Sequence, residues 1–248
     1  MKKLSVFAIV FAIVLSLMIV PNSSSAHGVW FAQRSDRTQL VCGEGWKDSA
    51  YDPNGLVELN GFNSKYEPVD VKPINEKDYL YIEPSEDLSV VSLTMDYGYW
   101  SNTPEGKWIP KPMNEVEGST IGTHALKYSV NYFKNVDEVK PIANMVYQLV
   151  PSVDPTKLEV GQEFTVQLLH NGEPMADTEI IPDVLNHHTV TIKTDEKGMA
   201  TITASNGGLN VVGCEMAVPY ENEGIDNKAT RSKVFVSLGF TLYPEEDD

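Results

Sequence analysis

The chain has 248 residues, with 35 acidic against 19 basic side chains and a net charge of −16. Such a polyanion is repelled by phosphate backbones, which excludes nucleic acid as a partner. No Gly-x-Ser-x-Gly elbow, His-Glu-x-x-His pair, phosphate loop or Cys-x-x-Cys pair is present, so the sequence points away from an enzyme and from a small organic cofactor.

The chain opens with Lys2 and Lys3, an apolar run from Leu4 to Val20, and then Pro21-Asn22-Ser23-Ser24-Ser25-Ala26. A charged start, an apolar stretch and a small-residue Ser24-x-Ala26 site are the parts of an export signal, residues 1–26. Cleavage there makes His27 the first residue and leaves 222 of the 248 residues; loss of Lys2 and Lys3 takes the charge to −18. The expected product is periplasmic or extracellular. An uncleaved leader would instead act as an N-terminal anchor, although the apolar run is shorter than the roughly 20 residues a spanning helix prefers.

Beyond the leader the chain reads as all-β. Short runs rich in Val, Ile, Leu, Tyr and Thr alternate with Gly, Pro, Asn and Asp: Leu40–Cys42, Leu56–Leu59, Tyr79–Ile82 and Val90–Met95, then Phe164–Leu169, Val190–Thr194, Ala200–Ala204, Leu209–Cys214 and Val234–Leu242. Phe164–Leu168 and Met199–Thr203 alternate apolar and polar residues with period two, the mark of half-buried strands. Thr123–Phe133 fits either a helix or a strand. Strands at this spacing predict β-sandwiches.

Val150-Pro151-Ser152-Val153-Asp154-Pro155 interrupts the pattern, because two nearby prolines cannot both serve a sheet. The expected division is an N-terminal sandwich over 27–150 and a C-terminal prealbumin-like or immunoglobulin-like sandwich over 151–248, ending in the acidic tail Glu245–Asp248. In the second part His170-Asn171-Gly172-Glu173 is an Asn-Gly hairpin turn, Asp177–Ile180 begins a strand, and Thr194–Gly198 closes a further hairpin. Cys42 and Cys214 allow one disulfide, two buried thiols or soft metal ligands, and the sequence does not choose among them.

Several segments together resemble a known family: Ala26–Ala32 with its histidine second, Gly43-Glu44-Gly45 followed by Asp48–Asp52, the Tyr97–Trp100 turn, Gly122–Tyr128, and the C-terminal module. They resemble the exported NikM-like proteins associated with nickel and cobalt uptake, over almost the whole mature chain. The resemblance implies a non-catalytic accessory protein that binds a divalent transition metal and passes it to a membrane permease. Where that family often carries a histidine, this chain has Glu44.

An N-terminal histidine chelates through its α-amine and its ring, both of which titrate near neutrality and yield protons easily to a metal. His124, in the segment matching the family, is the expected third nitrogen. Three nitrogens suit Ni²⁺, Co²⁺ or Cu²⁺. Glu44 is expected as a carboxylate ligand or as the group that orients a ring. His187 and His188 read as the polar start of a strand, or else with Asp183 as a loop site, and His170 reads as solvent-facing. Met95, Met113, Met145, Met175, Met199 and Met216 lack the close spacing of a copper(I) site. Trp30, Phe31, Trp46, Tyr97, Tyr99, Trp100 and Trp108 are expected in the core and its rim.

Two other functions fit the same residues. One is a histidine-brace copper monooxygenase acting on polysaccharide, which also begins His-Gly on a β-sandwich. The other is a metal-free surface interaction protein.

Overall fold

The computed structural model describes residues 27–45 and 47–243; the expected export leader over 1–26, Trp46 and the acidic tail lie outside the described residues. The described chain is all-β. Its first half carries β1 (Gly28–Arg34), β2 (Arg37–Glu44), β3 (Lys47–Asp48), β4 (Leu56–Phe62), β5 (Pro68–Val69), β6 (Pro73–Asn75), β7 (Leu80–Ile82), β8 (Val90–Asn102), β9 (Trp108–Ile109) and β10 (Gly122–Tyr132). Then follow β11 (Tyr147–Pro151), β12 (Glu163–His170), β13 (Glu173–Pro174), β14 (Glu179–Ile181), β15 (Ile192–Lys193), β16 (Met199–Thr203), β17 (Leu209–Pro219) and β18 (Arg231–Thr241). No helix among the described residues is long and apolar enough to cross a membrane.

These strands form three sheets. The central one runs β15-β14-β17-β18-β10-β8-β4-β5, with β9 on β8. A second sheet, β1-β2-β7-β6 with β3 on β2, covers one face, and a third, β11-β12-β13 with β16 on β12, covers the other.

The ambiguous segment Thr123–Phe133 is the strand β10. Its alternation is hidden because both faces are buried. Tyr128, Val130 and Tyr132 enter the apolar cluster beneath the third sheet, together with Leu168, Ile202, Leu238 and Phe240. Lys127, Ser129 and Asn131, also buried, face the other way. A strand covered on both sides lacks the apolar–polar alternation of a half-exposed one.

β10 pairs antiparallel with β8 and parallel with β18, about a hundred residues later in the chain. The central sheet therefore draws strands from both sides of the Val150–Pro155 interruption, and the two sandwiches share it. The Asn171-Gly172 hairpin forms as expected, with both residues at positive φ and His170 paired to Glu173. The Thr194–Gly198 segment is a tight turn, its Asp195 carboxylate accepting from the Lys197 and Met199 amides, but it closes no hairpin. β15 pairs with β14 in the central sheet, whereas β16 pairs with β12 in the third.

β1 is the edge strand of its sheet, and its outward backbone groups are buried. They are satisfied by side chains of the central sheet: the Asn131 Oδ1 accepts from the Phe31 amide at 3.0 Å, and the Ser237 hydroxyl donates to the Val29 carbonyl. The Ser129 and Ser237 hydroxyls stand 2.8 Å apart, and the Asn131 amide donates to Ser129 at 3.0 Å. This buried polar row closes an edge that would otherwise be open to pairing. Gly28 gives β1 its close approach: a Cβ there would lie 2.5 Å from the Phe235 ring.

Cys42 and Cys214 are both free and buried. Cys42 belongs to the cluster on the β1 side of the central sheet and Cys214 to the cluster on the other. Burial pushes the two thiols up to about 11 and about 12.

Candidate metal centre

His27 immediately precedes β1, so the buried polar row that holds the strand also fixes where the imidazole stands. β1 and β2 pair Gly28 with Gly43, and the next position of that antiparallel register sets His27 opposite Glu44. Burial and the nearby Lys127 ammonium hold the His27 ring below its ordinary range, against the opposing pull of Glu44 and Glu215. A ring so biased is neutral at pH 7, the form that ligates a metal.

Glu44 connects to a second imidazole. His188 Nε2 lies 3.3 Å from Glu44 Oε1, with the Glu44 side chain about one-fifth exposed. The loop that carries His188 is built by Asp183. Its carboxylate accepts from the Leu185 and Asn186 amides at 3.1 Å each and from the Asn186 side chain, while its carbonyl accepts from the His187 amide. The Gly45 amide donates to the Val184 carbonyl at 3.0 Å and ties this loop to the end of β2. His187 and His188 are therefore in a capped loop rather than at the start of a strand. The Asp183-x-x-Asn186 spacing is the sequence signal for that loop, since an aspartate bonding to backbone amides two and three residues on is an Asx turn.

His124 does not join this group. It lies on β10 in step with Leu126 and Tyr128, facing the third sheet, while Lys127 and the His27 side lie across the central sheet. Period two along β10 makes residues 124 and 127 face opposite ways. His124 Nε2 instead bonds Asp96 Oδ1 at 2.9 Å, its ring stacks on Tyr99 at 4.4 Å between centroids, and Tyr220 meets it edge-on. The hydrogen bond from His124 holds the Asp96 carboxyl below its usual range, helped by the Gly98 amide. A bulge in β8 at Tyr97 makes this possible: Ala125 faces Gly98 but Leu126 faces Asp96. Gly98, at φ +85°, takes the left-handed turn of the bulge, so Asp96 and Tyr99 come to the same face three residues apart.

Of the three expected ligands, then, the register sets His27 across from Glu44, His124 lies on the other face of the central sheet, and His188 contacts Glu44. Among the described residues no three His, Cys, Asp or Glu side chains already form a ligand set. Trp30, Phe31, Tyr97 and Trp100 lie in the core and at its rim, as expected. Trp30 and Phe31 are buried, whereas Tyr97 and Trp100 stack on each other at 6.2 Å, half-buried at the rim.

Fold and site define an all-β protein of three sheets whose first strand begins with an imidazole set across from a carboxylate and near a loop histidine. The chain belongs to the family described as a domain of unknown function (DUF4198), whose profile matches residues 24–218. It is similar to an uncharacterized protein of Haemophilus influenzae, 26% identical over 199 residues, which is 79% of this chain and 83% of that protein. No solved structure matches it.

Proposed function

We propose that this is an extracytoplasmic protein that binds one divalent transition metal ion, nickel or cobalt in preference to copper, and delivers it to a membrane permease of the nickel/cobalt uptake type. The observation that carries the reading is that the β1–β2 register continues toward His27 across from Glu44, and that Glu44 in turn meets His188. Cleavage after Ala26 adds the α-amine, so one residue supplies two nitrogens, with a second imidazole and a carboxylate at hand. That mixture of nitrogen and oxygen donors suits Ni²⁺, Co²⁺ and Cu²⁺. The ion is the cargo. His27 grips it through amine and ring, Glu44 offsets its charge and orients the rings, and His188 completes the set from a loop that can release it. Lys127 opposes the ion's charge, and the Glu215 carboxylate offsets Lys127. The resemblance to NikM-like exported proteins and the acidic composition support the same reading.

Calorimetric titration of the chain beginning at His27 with Ni²⁺, Co²⁺ and Cu²⁺ tests it. One ion per chain is expected with a Kd of about 1 μM or tighter. Retaining residues 1–26, or acetylating the new terminus, abolishes binding, and His188→Ala weakens it at least about tenfold. Equal affinity with a free and a blocked terminus would refute the site.

A further inference from the structure

On the other face of the central sheet a cleft of about 540 Å³ opens between the ends of β8, β10 and β18 and the β11–β12 pair of the third sheet. That volume lies within the roughly 300–1,000 Å³ of small-ligand sites. Its walls are ring-rich. His124 stacks on Tyr99, His170 stacks on Tyr147 at 4.3 Å and 4° between planes, and Tyr128 meets Tyr147 edge-on at 5.4 Å. His170, expected in open solvent, is thus part of the wall.

Three polar side chains in this wall are more than nine-tenths buried and lack a partner. Tyr128 is 6% exposed, Tyr147 7% and Ser232 4%, and none of their hydroxyls makes a hydrogen bond among the described residues. None is sealed off either, because each reaches open space. Ser232 is the register neighbour of His124 across β10 and β18. Three hydroxyls that open into one cleft without a partner among the described residues are free to bond a polar ligand there.

We infer that this cleft binds a neutral saccharide, the end or a short segment of a glycan. A sugar offers many hydroxyls together with apolar C–H faces, which match unpaired hydroxyls set among tyrosine rings. The charges argue against alternatives. Among the described residues no lysine or arginine lines the cleft, and Glu221 stands at its mouth, so phosphate and uronate ligands are disfavoured. Lys228 lies behind the Tyr99 ring at 5.7 Å and pairs with Asp226. An ammonium ligand needs rings arrayed about a common centre, whereas these stack on or abut one another. The Asp96–His124 bond presents the imidazole in a fixed orientation, its Nδ1 unpartnered among the described residues.

The inference does not rest on metal binding and is tested apart from it. Saturation-transfer NMR and calorimetry are run on the purified protein with cellohexaose, chitohexaose, xylohexaose and mannohexaose. At least one is expected to bind with a Kd of about 1 mM or tighter. Tyr147→Phe and Ser232→Ala, which each remove one hydroxyl from an intact fold, each weaken it about five- to tenfold. Blocking the N-terminus leaves it unchanged. Absence of transfer from all four sugars overturns the inference. So does unaltered affinity in both variants, or binding of choline or inorganic phosphate in the sugars' place.

Discussion

Lys127 puts its ammonium group into the interior between β1 and the central sheet. It is 1% exposed, its Nζ lies 5.2 Å from the Tyr97 ring centroid and 5.8 Å from that of Phe235, and no acceptor reaches it among the described residues. Burial lowers its pKa from the usual 10.5 to about 8. The unfolded chain therefore holds this proton more tightly than the folded one, and between about pH 8 and 10.5 folding becomes more favourable as pH rises. Below pH 8 the full cost of burying the charge, on the order of 3 kcal/mol, falls on the folded state. Lys127→Met is accordingly expected to be about 1–3 kcal/mol more stable at pH 7, with the difference shrinking toward pH 10. Urea unfolding of both proteins across that range checks it, since the tyrosines contribute equally to each. The thiols give a second expectation: neither Cys42 nor Cys214 reacts with an aromatic disulfide reagent in the native protein, and both react on unfolding. A reductant should leave the melting temperature unchanged. At this scale the sequence was informative about hairpin chemistry, as for Asn171-Gly172, where both residues take positive φ. It was silent where a fold decides, as for Lys127, which in the sequence is an ordinary charge.

Among the elements, β1 shows how position and chemistry are joined. Its buried edge depends on Asn131 and Ser237, and these also hold His27 in place. Asn131→Ala and Ser237→Ala each leave a buried backbone group without a partner and are expected to cost about 1–3 kcal/mol. The double variant should cost less than the sum because both share Ser129; chemical denaturation of the three proteins measures this. Many strands were legible, β12 and β16 from their alternation and β2, β4, β17 and β18 from β-branched and aromatic runs bounded by turn residues. β10 was not, since two buried faces erase the pattern. The placement of His124 on the face away from His27 was hidden for the same reason: without the strand assignment, the side to which residue 124 points is undefined. His188 was passed over because its partner, Glu44, lies about 140 residues away, and only the loop capped by Asp183 brings the two together.

For the whole molecule the decisive fact is that one sheet serves both sandwiches. Leu238 and Phe240 of β18 sit in the cluster with Leu168 and Ile202 of the third sheet, while Phe235 of the same strand packs under Trp30 of β1. Leu238→Ala should therefore destabilise the protein as a unit, by about 2–5 kcal/mol, in a single transition seen equally by far-UV circular dichroism and by tryptophan fluorescence. A fragment of residues 27–150 leaves β10 without its parallel neighbour and is expected to lack the dispersed amide spectrum of a folded domain. The Val150–Pro155 stretch stands out in the sequence, yet β11 runs on through Pro151, and the pairing of β10 with β18 across it was not legible, because a contact between residues a hundred apart leaves no local trace. Synthesis runs in the order of the chain, so β1 through β17 emerge before the strand that β10 and β17 both await. Until it arrives, two long strand edges at the heart of the protein remain open, exposed to pairing with other chains.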